Sequence, residues 1–391
     1  MTAAETIREN DSHSSIGIIS SEPHLVYSRL LLPKFLKKEI PRSKLFLRTA
    51  EDFTKKSINL HLGEAATFVD TKRREVGVTD GYTIGYHKLL LASGGKVKQW
   101  GSPEDQKYVY QLHTLNDAER MAQAINIIKN PLIIGFSFLG LELLEIFVSK
   151  RITPVIILNE KTVLEEIFDS QGGDILRNAF ERHGIQIYFN DTIGEIVKRD
   201  GGLKMYTKSL KEINADALVL GGWLERNTDF LRESGIEYGE GGIKANEFLE
   251  TNLEGIFVAG DAAEFYDVIL GEWRVAGDWT SAFLQGRVVG LNMVGKKQPF
   301  KNVSSYSVSH FGLQITVVGE CDSKTPSVVR LDARKNQYEI FFIKNNVLVG
   351  AALINRFIDK PQIAKLIEQK TPMEQYQEKL KDFEFDIRQI T

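Results

Sequence analysis

The consecutive residues Thr251-Asn252-Leu253-Glu254-Gly255-Ile256-Phe257-Val258-Ala259-Gly260-Asp261 join a short apolar strand to a tight Gly-Asp turn. An apolar run bounded by turn residues reads as a buried strand. Gly260 lets the backbone come close to a ligand, and Asp261 sets a carboxylate at the carboxyl end of that strand, where open α/β sheets bind ligands. Such a carboxylate suits a ribityl hydroxyl next to a pyrophosphate. A Gly-Asp dipeptide alone is a common surface turn. Eleven positions in this order are much harder to read as a chance surface turn, and they place a candidate ligand at the carboxyl end of a buried strand.

The remaining segments have the order that such a sheet needs. Ser15 to Ser20 is a β-rich run, Pro33 to Lys38 opens a connecting segment, and Thr67 to Tyr86 alternates as a hairpin around Asp80-Gly81. A helical stretch from Asn116 to Ile128 leads into the strand Leu132-Ile133-Ile134, where a second strand-helix-strand unit begins. Trp279 to Met293 reads as a helix. Beyond Gly295 the texture changes to two or three hydrophobic strands, including Tyr338 to Lys344 and Val347 to Leu353, and a helix near Gln362 to Glu368.

Composition removes several classes of function. A net charge of -3 gives no general affinity for nucleic acid or an anionic membrane surface. The sequence has neither an apolar run of membrane-spanning length nor the blocks of a signal peptide, so the expected location is the cytoplasm. Cys321 is the single cysteine, which excludes a redox-active dithiol within the chain, and we read it as structural. GxSxG and Walker motifs and clustered metal ligands are absent, which leaves hydrolase and kinase readings without support.

The Gly-Asp run resembles the third FAD motif of the pyridine nucleotide-disulfide oxidoreductase superfamily, in the branch of rubredoxin and ferredoxin reductases, NADH oxidases and apoptosis-inducing factor. The likeness includes Ser20 to Arg29 with Lys34, Leu89 to Gly95, Gly135 to Glu142, and Trp279 followed by Gln285-Gly286. It implies an α/β fold with two Rossmann-like dinucleotide-binding domains and a small C-terminal α+β domain. FAD would be held by residues 1–104 and 228–295, the nicotinamide nucleotide by 105–227, and the third domain, 296–391, would cover the flavin and carry a homodimer contact. The implied activity is FAD-dependent oxidation of NADH or NADPH without a protein dithiol. The resemblance implies as acceptor a small electron-carrier protein of the rubredoxin or ferredoxin kind, a quinone or oxygen, and the sequence does not decide among them.

For FAD, the resemblance implies Glu22 at the adenosine ribose, with Ser21 as the alternative position. It also implies Arg29 and Lys34 beneath the cofactor, and Ala92, Ser93 and Gly94 at the turn closing the sheet. Gly260 and Asp261 would meet the ribityl chain, and Trp279, with Gln285 and Gly286, the ring. A guanidinium suits a phosphate, and the Lys34 ammonium near the flavin could stabilise charge on reduction. The N-terminus of the helix opening at Trp279 could favour an anionic reduced flavin. The superfamily's opening strand and Gly-x-Gly-x-x-Gly turn have no counterpart before Ile16, and Ala3 to Arg8 resembles the back half of the helix that follows them. The expectation is a coding start upstream of Met1; the alternative is a FAD site without its pyrophosphate cradle.

The second nucleotide site departs further. Gly135 supplies the tight turn and Gly140 the close helix-strand packing, but Ser137 stands where a glycine normally lets the pyrophosphate approach. Leu158 falls where an acid would grip the adenosine ribose; Glu160 either substitutes for it or is a solvated loop acid. Trp223 stands in Gly222 to Asn227, where relatives have Gly-x-x-Pro-Asn. Glu142 is kept, and the resemblance implies that it pairs with Lys34 across the flavin. A second function class follows from the departures: a flavin-binding scaffold or complex subunit whose NAD site has decayed.

Overall fold

The computed structural model describes residues 1–199, 202–222 and 224–390, so Trp223 lies outside the described residues. The chain divides into two compact units, one made of Met1–Ser28, Arg42–Lys96 and Glu225–Ser304, the other of Arg29–Pro41, Val97–Leu224 and Ser305–Thr391.

In the first unit, strand Ile16–Ser20 pairs in parallel with Ile58–Leu62, and Leu89–Leu91 pairs in parallel with Ile256–Val258. Ile256, Phe257 and Val258 are at most 3 % exposed, so the apolar run of the Gly-Asp motif is a core strand. The segment expected as one hairpin is a three-stranded antiparallel meander, Ala66–Asp70, Glu75–Val78 and Thr83–Gly85. Its first turn closes without glycine because Arg74 takes a positive φ of 57°.

Helix Thr2–Asn10 lies on helix Trp279–Met293. The crossing is close because Gly286 and Gly290, one turn apart, present no side chain to it. A Cβ on Gly290 would lie 2.7 Å from Thr6 Cβ and 2.8 Å from the Ala3 carbonyl oxygen. Gly290→Ala is therefore expected to destabilise the unit by about 1–3 kcal/mol through overpacking, despite alanine's better helix propensity. Urea denaturation followed by circular dichroism would check this, and an unchanged midpoint would show that the helices can part.

The second unit holds a five-stranded parallel sheet in the order Gln186–Tyr188, Val155–Ile157, Pro131–Ile134, Ala217–Leu220, Val109–Tyr110. Its central strand is wholly buried, as parallel sheets covered on both faces require. Helix Leu115–Ala124 starts at a Thr114 capping box, with Asp117 returning the bond. Where two or three C-terminal strands were expected there are five, in the antiparallel order Ser305–His310, Leu313–Gly319, Val347–Ile354, Gln337–Lys344, Ser327–Asp332, with helix Lys360–Gln369 packed on them. Phe138 meets Tyr306 edge to face, Phe180 meets Phe311, and the Tyr338 hydroxyl donates to Asp169 at 2.8 Å. The C-terminal sheet thus packs on the helices of the expected nicotinamide segment. Residues 29–41, expected in the FAD segment, also belong to this unit.

Candidate functional site

In the first unit the strands Leu89–Leu91 and Ile256–Val258 run in parallel, so Ala92-Ser93-Gly94 and Gly260-Asp261 leave the sheet side by side. The Ala259 amide donates to the Leu91 carbonyl and extends the pairing to the turn itself. Gly260 has φ +74° and Gly94 φ +61°, a region that L side chains enter at a cost. Apart from its chain neighbours, no described residue lies within 4 Å of where a Cβ on Gly94 would sit.

Gln285, fully buried, accepts the Gly260 amide proton at 2.7 Å and donates to Ser281 Oγ at 3.1 Å. This glutamine, expected beside the ring, fixes the Gly-Asp turn. Gly286 serves the helix crossing. Trp279, 44 % exposed, opens the helix, whose N-terminus is capped by Asp278 accepting the Ser281 amide at 2.7 Å. That carboxylate offsets the positive end of the helix, so the dipole is a weaker source of charge stabilisation than expected. Glu22, after strand Ile16–Ser20, accepts the Tyr27 hydroxyl at 2.6 Å.

The Ser93 hydroxyl oxygen is buried with no hydrogen-bond partner among the described residues. A buried polar atom without a partner is costly, and next to an open glycine and a carboxylate-bearing turn it fits a polar ligand laid across the strand ends. These residues fit the ribityl part of FAD. In the second unit Arg29 donates to the His113 carbonyl at 2.6 Å, and Lys34 is exposed, with no ion pair among the described residues.

The expected nicotinamide site lies at the carboxyl end of Pro131–Ile134. Gly135 turns at φ +69°, and Gly140 faces the Phe136 ring, which a Cβ would meet at 2.9 Å. Ser137 is the N-cap of helix Phe138–Ser149. Its hydroxyl donates to the Gly221 carbonyl at 2.6 Å and accepts the Leu139 amide at 3.2 Å. The helix end that would meet a pyrophosphate is thus occupied by the chain's own side chain. A cavity of about 120 Å³ opens beside it, lined in part by Ser137, Leu158, Glu160, Glu165 and Glu166. Leu158 is 2 % exposed and contributes to the core, so an acid at that position would be buried, while Glu160 is half-buried at the cavity wall.

Glu142 does not pair with Lys34 as the resemblance implied. Its Oε1 lies 3.2 Å from His310 Nε2, an atom that sequence reasoning passed over. Glu145, one turn on, contacts His310 Nδ1 and lies 3.5 Å from Lys37 Nζ. Burial, with the Glu142 charge adding to it, pushes the Tyr306 hydroxyl up to about 12.

A parallel-sheet unit bearing a Gly-Asp turn, followed by a second strand-turn-helix nucleotide fold, defines a two-nucleotide flavoprotein of the reductase kind. The chain belongs to the pyridine nucleotide-disulphide oxidoreductase family, whose model matches residues 1–286; a rubredoxin NAD+ reductase C-terminal domain matches residues 307–371. The family comprises FAD-dependent oxidoreductases that use NAD(P)H. Apoptosis-inducing factor 3 of Mus musculus is 27 % identical over 94 % of this chain, which spans 60 % of that relative's length. The NADH-rubredoxin oxidoreductase of Clostridium acetobutylicum is 26 % identical over 87 % of this chain and 84 % of its own. Among solved structures, a ferredoxin reductase for the CYP199A2 system from Rhodopseudomonas palustris has the same fold, with a TM-score of 0.90, 22 % identity, and coverage of 99 % of this chain and 96 % of its own. Among the described residues no helix is long and apolar enough to cross a membrane.

Proposed function

We propose that this chain is a FAD-dependent oxidoreductase that takes electrons from a reduced nicotinamide nucleotide and delivers them to a small one-electron carrier of the rubredoxin or ferredoxin kind. The observation that carries the reading is the pair of strand ends, with the Gln285-anchored Gly-Asp turn beside the unpartnered Ser93 hydroxyl. FAD, when bound, supplies the conversion of a two-electron donor into one-electron deliveries. The balance is one NADH and two oxidised carriers giving NAD+, one proton and two reduced carriers. The chain contributes Asp261 and Ser93 as partners for ribityl hydroxyls, Glu22 for the adenosine ribose, Arg29 and Lys34 as cationic groups, and Gly135, Gly140, Glu142 and Glu160 toward the nicotinamide nucleotide. The match to a rubredoxin reductase C-terminal domain supports the carrier over a quinone or oxygen, as does the name of the clostridial relative.

A second reading, a flavin-binding scaffold or complex subunit with a decayed nicotinamide site, is favoured by the Ser137 hydroxyl at the helix N-terminus. Anaerobic titration of the flavin-loaded protein separates the two. Bleaching of the visible absorption by NADH, with carrier reduced in twofold excess over NADH consumed, is the result expected of a reductase. Bleaching by dithionite but not by NADH would move the assignment to the scaffold. Failure to take up FAD would sink both.

A further inference from the structure

We infer that His310 is the positioning residue for Glu142, and that Glu145 and Lys37 hold it in place. The inference rests on the proposed function only in taking Glu142 to face the nicotinamide nucleotide. Glu142 and Glu145 project from the same face of helix Phe138–Ser149 because they are one turn apart. The His310 side chain, 8 % exposed, arrives from strand Ser305–His310 and inserts between them. Nδ1 is engaged by Glu145, whose second oxygen faces Lys37 Nζ at 3.5 Å, and Lys37 also faces Glu39 at 3.0 Å.

The other ring nitrogen is different. Nε2 is buried, lies 3.2 Å from Glu142 Oε1, and has no hydrogen-bond partner among the described residues. A buried nitrogen without a partner, 3.2 Å from a carboxylate whose side chain is 24 % exposed, is completed by a small rotation of that carboxylate. The row Lys37, Glu145, His310, Glu142 alternates in the sign its groups can carry, so Glu145 and Lys37 set the ring and the ring sets the Glu142 rotamer. Tyr306, four residues before His310 on the same strand face, closes the row: it packs edge to face on Phe138 and stands within the field of the Glu142 charge.

Two amide substitutions divide the ring's contacts. His310→Gln keeps a donor near the position of Nε2, toward Glu142; His310→Asn keeps one near Nδ1, toward Glu145. In anaerobic stopped-flow with the flavin-loaded protein, His310→Asn and His310→Leu are expected to lower the limiting rate of reduction by NADH roughly tenfold, as loss of one charge-assisted contact would. The half-saturating NADH concentration should stay within about twofold, and His310→Gln should recover most of the rate, because only positioning of the reacting end is affected. Equal losses in all three variants, or a change confined to half-saturation, would overturn the assignment.

A second readout needs neither flavin nor activity. In the nitrogen-15 spectrum of the uniformly labelled protein, with the His310 ring signals identified by their loss in His310→Gln, Glu142→Gln is expected to move Nε2 and leave Nδ1, and Glu145→Gln the reverse. If Nε2 does not respond to Glu142→Gln, the His310 inference fails whatever the flavin does; if it responds while NADH leaves the flavin oxidised, the inference stands and the proposed reductase function fails.

Discussion

Arg330→Leu is expected to cost the C-terminal sheet about 3–5 kcal/mol, because it strands two buried carboxylates. The Arg330 guanidinium is fully buried; Nε donates to Glu339 Oε2 at 2.5 Å and Nη2 reaches Asp359 at 3.4 Å. Nη1 donates to the carbonyls of Phe385 at 2.8 Å and Asp382 at 3.3 Å, so the same side chain fastens the C-terminal tail to strands Ser327–Asp332 and Gln337–Lys344. Phe341 and Phe383 cover the planar cation at 5.2 and 5.5 Å. Arg356 bonds Asp359 at 2.7 Å but stands 4.0 Å from Glu339, too far to replace the lost donor. Faster limited proteolysis of the tail beyond Tyr376 and a lower denaturation midpoint would check this. Arg330→Lys should recover only part, since an ammonium cannot reproduce the fork. If Arg330→Leu matched the parent in both measurements, the cluster would not be what secures the tail.

The same cluster sets a pH dependence. Burial pushes the Glu339 carboxyl up to about 7, against the opposing pull of Arg330. A folded-state value above the ordinary carboxylate range means that the fold favours the protonated form. The contribution is therefore complete below the ordinary carboxylate value and lost as pH rises through about 7. The C-terminal sheet should thus weaken between about pH 5 and 8 by an amount on the order of 3 kcal/mol, and Glu339→Gln should flatten that slope.

Local signals made part of this molecule legible in the sequence. The Gly-Asp strand and turn, and the helix that starts after Asp278, depend on residues adjacent in the chain and came out as read. The first meander turn was hidden because Arg74, and not glycine, takes the positive φ. Strand Ser305–His310 was hidden because its serines supply little of the apolar alternation by which a half-buried strand is recognised. The His310 cluster was beyond reach for another reason: His310 and Glu145 are separated by 165 positions, and only the docking of the C-terminal sheet on helix Phe138–Ser149 brings them together. Gln285 shows the same limit in reverse. The motif placed it by the cofactor, and only the fold shows that its buried side chain accepts the Gly260 amide proton.

Ser137→Gly is expected to raise the affinity for NADH by roughly tenfold to a hundredfold, the range given by the net gain of one hydrogen bond to a charged group. The present serine does two things at the helix end. It accepts the Leu139 amide that would otherwise face an anion, and its bond to the Gly221 carbonyl holds the hydroxyl there. Glycine removes the Cβ and the competing acceptor together. It costs only a few tenths of a kcal/mol as an N-cap, because glycine is itself an acceptable cap. Alanine separates the two effects: Ser137→Ala frees the amide but keeps the Cβ, so it should gain less than glycine if space is the obstacle and as much if the competing hydroxyl is. Equilibrium titration of NADH against the protein, read by quenching of intrinsic fluorescence, measures all three forms. The outcome also bears on the two readings of function. A parent that binds NADH weakly and a glycine variant that binds it well and then bleaches the flavin would place the departure from a working reductase at this side chain. A parent that binds as tightly as the glycine variant would mean that the dinucleotide reaches the site without the helix end, and the argument for a decayed site would lose its strongest observation.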